Sequence, residues 1–426
     1  MNILDKIKTN KLLKSGIGYS FASTLSSLVA MVVSFLSMLW IGPEQLGVWQ
    51  SVSIVNYYLI FMQLGIQSGL NLDLPLELGR GNKVASERLV QTGLFFAQFL
   101  SVLLFILGGI TILVLFLRGI TTDIISAGAT IWICAIMSCF RLHYIATYRS
   151  AIAFDKLGKI YLVDSVINIL LILFIYKYHY YGLLIYHALK EIVVTFLMYW
   201  YAPYRRIRPR FYLESFKQLL KRGIFMTAVN QIKGYIESIP RLLVLTICGT
   251  MQVGLFTPAL SVGVFMNLIP TQVSQFLNPQ FGHKYGQTHK AADMWPYLKK
   301  MILYVPLICL PIVAIGITII PFIINWWLPK YVSSILPIQI MLVGYMFSST
   351  FITRGFLITI KAYIPIFTLY FCDILFFFSI PRLLLLFIYN YDPLIVISIG
   401  LSIAYIITYL INAFVVRGVV FNSKYN

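Results

Sequence analysis

Lys233, Glu237 and Arg241 stand four residues apart, so a helix places all three on one face. They interrupt a stretch, Ile224–Cys248, that is otherwise apolar enough to cross a bilayer. A charge at the centre of a membrane helix costs about 2.5–3.5 kcal/mol on insertion scales, and the charges retained there face a bundle interior or a water-filled cavity. Two bases around one acid leave a net positive stripe roughly 12 Å long at 1.5 Å rise per residue. Such a stripe suits an anion that is losing its water: arginine grips phosphate oxygens with a two-pronged fork, and lysine adds a point charge. The same spacing also fits a ladder of internal salt bridges that fixes helix packing. Arg141, Lys190 and Arg382 are further basic candidates inside apolar stretches, and Asp164, Glu191, Glu237 and Asp373 are the acids. Glu237, held between two bases, and Asp373 are the candidates for coupling to an ion gradient. Lys190 and Glu191 are sequence neighbours, so they point apart on a helix. Asp164 and Arg141 read as residues that reach toward the inner interface along their own stems.

The elements that must position these charges follow from composition. Of the 426 residues, 59% are hydrophobic and 11% charged, with a mean hydropathy of +0.85. A soluble domain carries about 25% charged residues. Stretches of about 20 apolar residues, long enough to span a bilayer, occur twelve times. They are Ile17–Trp40, Val48–Leu70, Leu89–Leu117, Ile124–Thr147, Ile160–Tyr176, Tyr181–Tyr201, Ile224–Cys248, Val253–Phe276, Met301–Trp326, Ile335–Ile358, Ile364–Ile388 and Leu394–Val416. The fifth is the shortest.

The net charge of +19 would suggest nucleic acid in a soluble protein, but its distribution argues for membrane topology instead. With a cytoplasmic N-terminus, the outer loops hold only Arg118, Lys177 and Lys330, and the inner loops hold most of the rest. The densest inner loop, Ala202–Gly223, carries Arg205, Arg206, Arg208, Arg210, Lys217, Lys221 and Arg222. It reads as a topology anchor, with anionic headgroup binding as the second reading. Both termini are expected in the cytoplasm, with the chain multi-pass in the membrane. The lysine-rich Met1–Ser15 and the long apolar run after it do not make a cleavable signal peptide. The five cysteines all lie in apolar spans without metal-ligand spacing. No glycine-rich phosphate loop, nucleophile elbow or zinc signature appears, so neither an enzyme, a metal nor a cofactor is expected. Aromatics gather at expected interfaces, as in Tyr176–Tyr181 and Trp326–Trp327.

A shift of 207 residues aligns Leu12–Ala85 with Leu219–Ala292 without a gap. Lys14, Gly16, Gly42, Gln45, Gly47, Asn71, Gly79 and Lys83 fall on Lys221, Gly223, Gly249, Gln252, Gly254, Asn278, Gly286 and Lys290. Apolar matches come cheaply in such a chain, so these eight carry the signal. The expected organisation is an N-terminal six-helix lobe (1–201), a basic cytoplasmic connector (202–223) and a C-terminal six-helix lobe (224–426). An even number of spans per half gives the halves one orientation, related by a pseudo-twofold axis along the membrane normal with a cavity between them. The fold class is therefore all-α integral membrane, with twelve transmembrane helices and a transporter-like layout. Pro258, Pro270 and Pro279 in the eighth region and Pro306, Pro311 and Pro321 in the ninth suggest bent, mobile helices.

The chain resembles the polysaccharide repeat-unit flippases (the O-antigen or capsule type, Wzx-like) of the MOP exporter superfamily. The resemblance spans almost the whole length. It rests on Lys14-Ser15-Gly16, the turn Leu39-Trp40-Ile41-Gly42-Pro43-Glu44-Gln45-Leu46-Gly47-Val48-Trp49, the Gly65…Asn71…Gly79-Arg80-Gly81-Asn82 run, and Trp327-Leu328-Pro329-Lys330-Tyr331. It implies a two-lobe transporter and a substrate, an undecaprenyl-pyrophosphate-linked oligosaccharide moved from the inner to the outer leaflet. Lys233, Arg241, Arg141, Lys190 and Arg382, with Glu237, would then hold the pyrophosphate, and membrane lipid and a polysaccharide polymerase would be partners. The related lipid II flippases carry charges in the first span, whereas Ile17–Trp40 has none, which argues against a lipid II substrate. A multidrug exporter of the same superfamily would want an acidic cavity. A non-transporting membrane partner of a glycan-assembly complex is the remaining alternative.

Overall fold

A computed structural model describes residues 3–288 and 290–422. Among these residues every regular element is helical. The first lies along Ile3–Trp40 (α1), and Pro43–Leu59 (α2) and Ile66–Gly79 (α3) together form the second span. Then come Lys83–Leu117 (α4), Thr122–Ser150 (α5), Phe154–Trp200 (α6), Leu213–Cys248 (α7), Thr250–Thr288 (α8) and Trp295–Trp327 (α9). Ile335–Met346 (α10) and Phe351–Thr359 (α11) share the tenth span, followed by Tyr363–Phe387 (α12) and Pro393–Val420 (α13).

Eight helices are long and apolar enough to cross a membrane whole. The count reaches twelve because α6 covers two spans, α7 is excluded only by its charges, and the second and tenth spans are each broken in two. The fifth and sixth spans meet at His179, where φ is 49° and ψ −117°. Beyond it the chain returns so closely that a Cβ on Gly182 would lie 1.9 Å from the Phe174 carbonyl oxygen. Only glycine fits there. The break between α2 and α3 is a left-handed pair, Leu64 (φ 50°) and Gly65 (φ 85°). By contrast α8 and α9 run as single helices through their prolines. In a span where water cannot replace a lost hydrogen bond, neighbouring protein groups must cover the freed carbonyls.

Helix starts are written in side chains where loops are short. The Asn82 side chain accepts the Ala85 N–H at 3.1 Å ahead of α4, and Asp392 accepts the Leu394 N–H at 2.9 Å ahead of α13. Proline then occupies the first position of α13, where its missing N–H has no intrahelical partner to lose.

The chain divides into two compact units, Met1–Ile41 with Val52–Gly234, and Gly42–Ser51 with Tyr235–Asn426. The start of α2 thus belongs to the second unit, and the first half of α7 to the first. In the first unit, Leu70 and Leu74 of α3, Leu89, Ala97 and Leu104 of α4, Ala135 and Cys139 of α5, and Leu219 of α7 form one apolar core. Tyr148, Leu157, Ile160 and Met198 form a second. In the second unit, α13 packs along α12 and α10, and α8 along α10 and α11.

Candidate functional site

The first unit brings together three charges that the sequence leaves scattered. Arg141 Nε lies 3.3 Å from Glu191 Oε2, between α5 and the second half of α6. Each is nine residues before the C-terminal end of its helix, Ser150 and Trp200, or about 14 Å along the axis, so both charges lie well inside their helices. Lys190 joins them: the Cys134 thiol of α5 interacts electrostatically with Glu191, Arg141 and Lys190 alike. Asp164 belongs to the same neighbourhood, since Tyr161 interacts electrostatically with it and with Arg141, and Tyr186 with it and with Glu191. The Arg141 side chain is 37% exposed and that of Glu191 17%, so the arginine remains reachable. The pair is also loosely built, since neither Arg141 Nε nor Glu191 Oε2 makes a hydrogen bond although both atoms are buried.

Asp164 itself is held by polar side chains and not by an ion pair. Ser26 Oγ donates to Asp164 Oδ2 at 2.5 Å, Asn168 Nδ2 donates to the Asp164 carbonyl at 2.8 Å, and the Tyr186 hydroxyl donates to Asn168 Oδ1. Asp164 is 4% exposed, and its Oδ1 is buried without a hydrogen-bond partner. The expectation that Asp164 snorkels is therefore corrected: α1 covers it with a serine, and its stem is too short to reach water from beneath a packed helix. Arg141, read the same way, is instead turned to Glu191. The serines of the first span divide accordingly. Ser26 crosses to Asp164, while Ser23, Ser27 and Ser37 bond back to their own helix.

In the second unit the sequence reading misses a residue. Arg354 of α11 makes a two-pronged pair with Asp373 of α12, Nη1–Oδ2 2.6 Å and Nη2–Oδ1 3.0 Å, with both side chains buried. The guanidinium lies 4.9 Å from the centre of the Tyr370 ring, and its Nε donates to Asn412 Oδ1 at 3.4 Å. Asn412 in turn donates to Thr353 Oγ1 at 2.7 Å. Arg354 lies within the apolar stretch Ile335–Ile358 but is not singled out with the other bases inside such stretches. The available signal was Asp373, an acid in an apolar helix that needs a cation, with a base on the helix just before it. Asp373, the candidate for ion coupling, is thus engaged by arginine.

The other candidates fall as follows. On α7, Lys233 belongs to the first unit and Glu237 and Arg241 to the second. Lys233 and Glu237 are exposed and Arg241 is half-buried. Glu237 is near enough to Tyr370 and Tyr405, and Arg241 to Tyr345, to interact with them electrostatically. Arg382 is exposed on α12, 5.2 Å over the Phe378 ring, and does not join the Arg354 group. Among the described residues no three His, Cys, Asp or Glu side chains gather as metal ligands.

The sequence profile of the polysaccharide biosynthesis protein family matches residues 40–331. No curated protein sequence matches the chain. Among solved structures, the inward-facing conformation of a multidrug resistance MATE family transporter of the MOP superfamily aligns with a TM-score of 0.76 and 16% identity, covering 94% of this chain and 96% of that one. The outward-facing conformation of a MATE family transporter gives 0.66 at 16% identity, covering 95% and 96%. A MOP superfamily transporter from Pyrococcus furiosus, for which reverse polarity of the binding pocket suggests a different function, gives 0.55 at 16% identity, covering 95% and 96%. At these identities the likeness is one of fold.

Proposed function

The chain belongs to the polysaccharide biosynthesis protein family, and from that premise we propose that it is a flippase for undecaprenyl-pyrophosphate-linked polysaccharide repeat units. It moves them from the inner to the outer leaflet of the bacterial cytoplasmic membrane by alternating access. The observation that carries this reading is the partly exposed Arg141, with Lys190 nearby, held by a single loose contact to Glu191 inside an apolar helical unit. A pyrophosphate leaving water needs cationic compensation there, and the long carrier chain stays in lipid. Lys233, Glu237 and Arg241 on α7 remain candidates for the same anion by residue type and spacing. An organic cation would meet the exposed Arg141 guanidinium, the wrong polarity for an exporter of cationic drugs.

The test is reconstitution in liposomes with a labelled undecaprenyl-pyrophosphate oligosaccharide, reading its arrival in the opposite leaflet. If each base contributes a charge-assisted hydrogen bond, Arg141→Ala and Lys190→Ala each lose about 1.5–3 kcal/mol of anion binding. Both variants then flip more slowly at normal protein levels, and Arg141→Lys recovers only part of the rate, because it lacks the fork. Wild-type rates in both alanine variants remove the cluster from the transport path. Retained resistance to cationic drugs on expression in a sensitive strain would instead favour the exporter.

A further inference from the structure

The chain holds two arginine–carboxylate pairs inside its helical units, and they are built differently. Arg354 and Asp373 meet through two short parallel contacts, and neither side chain is more than 7% exposed. Arg141 and Glu191 meet through one contact at 3.3 Å, on the Nε side, without hydrogen-bond geometry. The Arg141 side chain keeps more than a third of its surface exposed, and its two Nη groups make no hydrogen bond among the described residues. A pair that served only to hold helices together would be expected in the first form, since an imperfectly paired buried carboxylate gains little for its lost hydration. The second form leaves the arginine fork open to another planar or tetrahedral oxyanion.

We propose that Glu191 is an internal stand-in for the substrate's phosphate, so that Arg141 exchanges partners between this carboxylate and the arriving pyrophosphate. The inference rests on the flippase reading above and adds a role to it: Glu191 positions Arg141 while the site is empty and competes for it when the site is full. Both steps matter to a carrier. With no internal anion, Arg141 would be a poorly compensated cation within apolar helices, which is costly. With an anion bound, a site without a competitor would hold it too tightly to release. Lys190 makes no ion pair among the described residues and stays available to either partner.

The experiment uses the full chain in lipid nanodiscs, with undecaprenyl pyrophosphate as the binding probe, and the liposome assay for turnover. Glu191→Gln keeps the shape and removes the charge. It should bind the probe about 2–5-fold tighter, the worth of a partly exposed, loosely made ion pair, and flip more slowly at saturating substrate. A glutamate with a merely structural role would move neither quantity in that paired, opposite way. Glu191→Asp is the second variant. It keeps the charge but withdraws it from Arg141 by one methylene, and should tighten binding by a smaller factor. Wild-type or weaker affinity in whichever variant folds overturns the proposal, and failure of both to fold does the same by showing that Glu191 is structural. Arg141→Ala separates the two readings. If it binds the probe as wild type, the cluster is not the anion site and the flippase reading loses its support. If it binds weakly while Glu191→Gln does not tighten, the anion site stands and only the exchange is lost.

Discussion

Arg354 is the residue on which the second unit most visibly depends. Removing one partner of a buried pair leaves an uncompensated charge and costs about 3–5 kcal/mol, whereas replacing both by well-packed apolar residues is often close to neutral. Arg354→Ala should therefore lower the thermal unfolding temperature of the purified protein sharply, and Arg354→Met with Asp373→Leu should recover most of the loss. If the double variant is as unstable as the single one, the pair is not the source of the stability. In the first unit, Ser26→Ala strips Asp164 of its hydroxyl donor and leaves both carboxylate oxygens buried. It should cost about 1–3 kcal/mol in the same measurement. At this scale the sequence was partly legible. Arg141, Lys190, Glu191, Asp164 and Asp373 were all visible as costly intramembrane charges, because hydropathy exposes them directly. Which of them meet was not visible, since a partner on another helix is set by rotation and depth. Arg141 and Glu191 share a nine-residue offset from the C-terminal ends of their helices, which brings them level with each other. Arg354 went unseen although it lies within the tenth apolar stretch.

One pair of the glycines that carried the internal repeat turns out to be a contact between elements, while Gly16, Gly42, Gly79 and Gly249 meet nothing within 4 Å. Gly47 of α2 and Gly254 of α8 are equivalent under the 207-residue shift, and both lie in the second unit, where their helices touch. A Cβ on Gly47 would lie 2.0 Å from the Thr250 carbonyl oxygen, and one on Gly254 would lie 1.7 Å from that of Pro43. Since these are backbone atoms, no side-chain rotation relieves the clash, and the helices must move apart. Overpacking of this kind costs about 1–3 kcal/mol. Gly254→Ala and Gly47→Ala should both destabilise the protein by that order. Gly42→Ala, whose added methyl would meet nothing within 4 Å, should stay within about 0.5 kcal/mol of wild type. Equal effects at all three positions would mean that helix propensity, not the crossing, decides. At this pair the repeat was thus readable because backbone contact restricts a position to one residue type. The interruptions were not readable: proline, the strongest local signal, sits in α8 and α9, which continue through it. The chain breaks at Leu64–Gly65 and after Phe347, and it reverses at His179, without a proline at any of these points.

For the whole chain the twelve spans and the helical class followed from hydropathy alone, because a bilayer leaves so few ways to satisfy a backbone. Orientation is the further property that charge controls, and the loop between α6 and α7 holds a dense group of bases, Arg205, Arg206, Arg208 and Arg210. It is not a loose basic string. Arg205 stacks 4.1 Å over the Trp200 ring, Arg88 and Arg210 both lie 5.4 Å from the Tyr212 ring, and Phe211 packs on Phe95 and Phe216. The Arg210 N–H also donates to the Gln91 carbonyl at 3.3 Å. Basic side chains fixed over aromatic rings at a helix end are what an interface holds in place. A reporter inserted at Phe211 is therefore expected to read cytoplasmic, and reporters at Gly119 and Tyr389, in loops with few bases, to read as outside. Because the positive-inside bias sums over all short loops, replacing Arg205, Arg206, Arg208 and Arg210 by glutamine should not invert the molecule while the other inner bases remain. It should lower the fraction of correctly inserted chains, measured by the same three reporters. An outside signal at Phe211 in the unmodified protein would break the orientation, and with it the direction of transport proposed above.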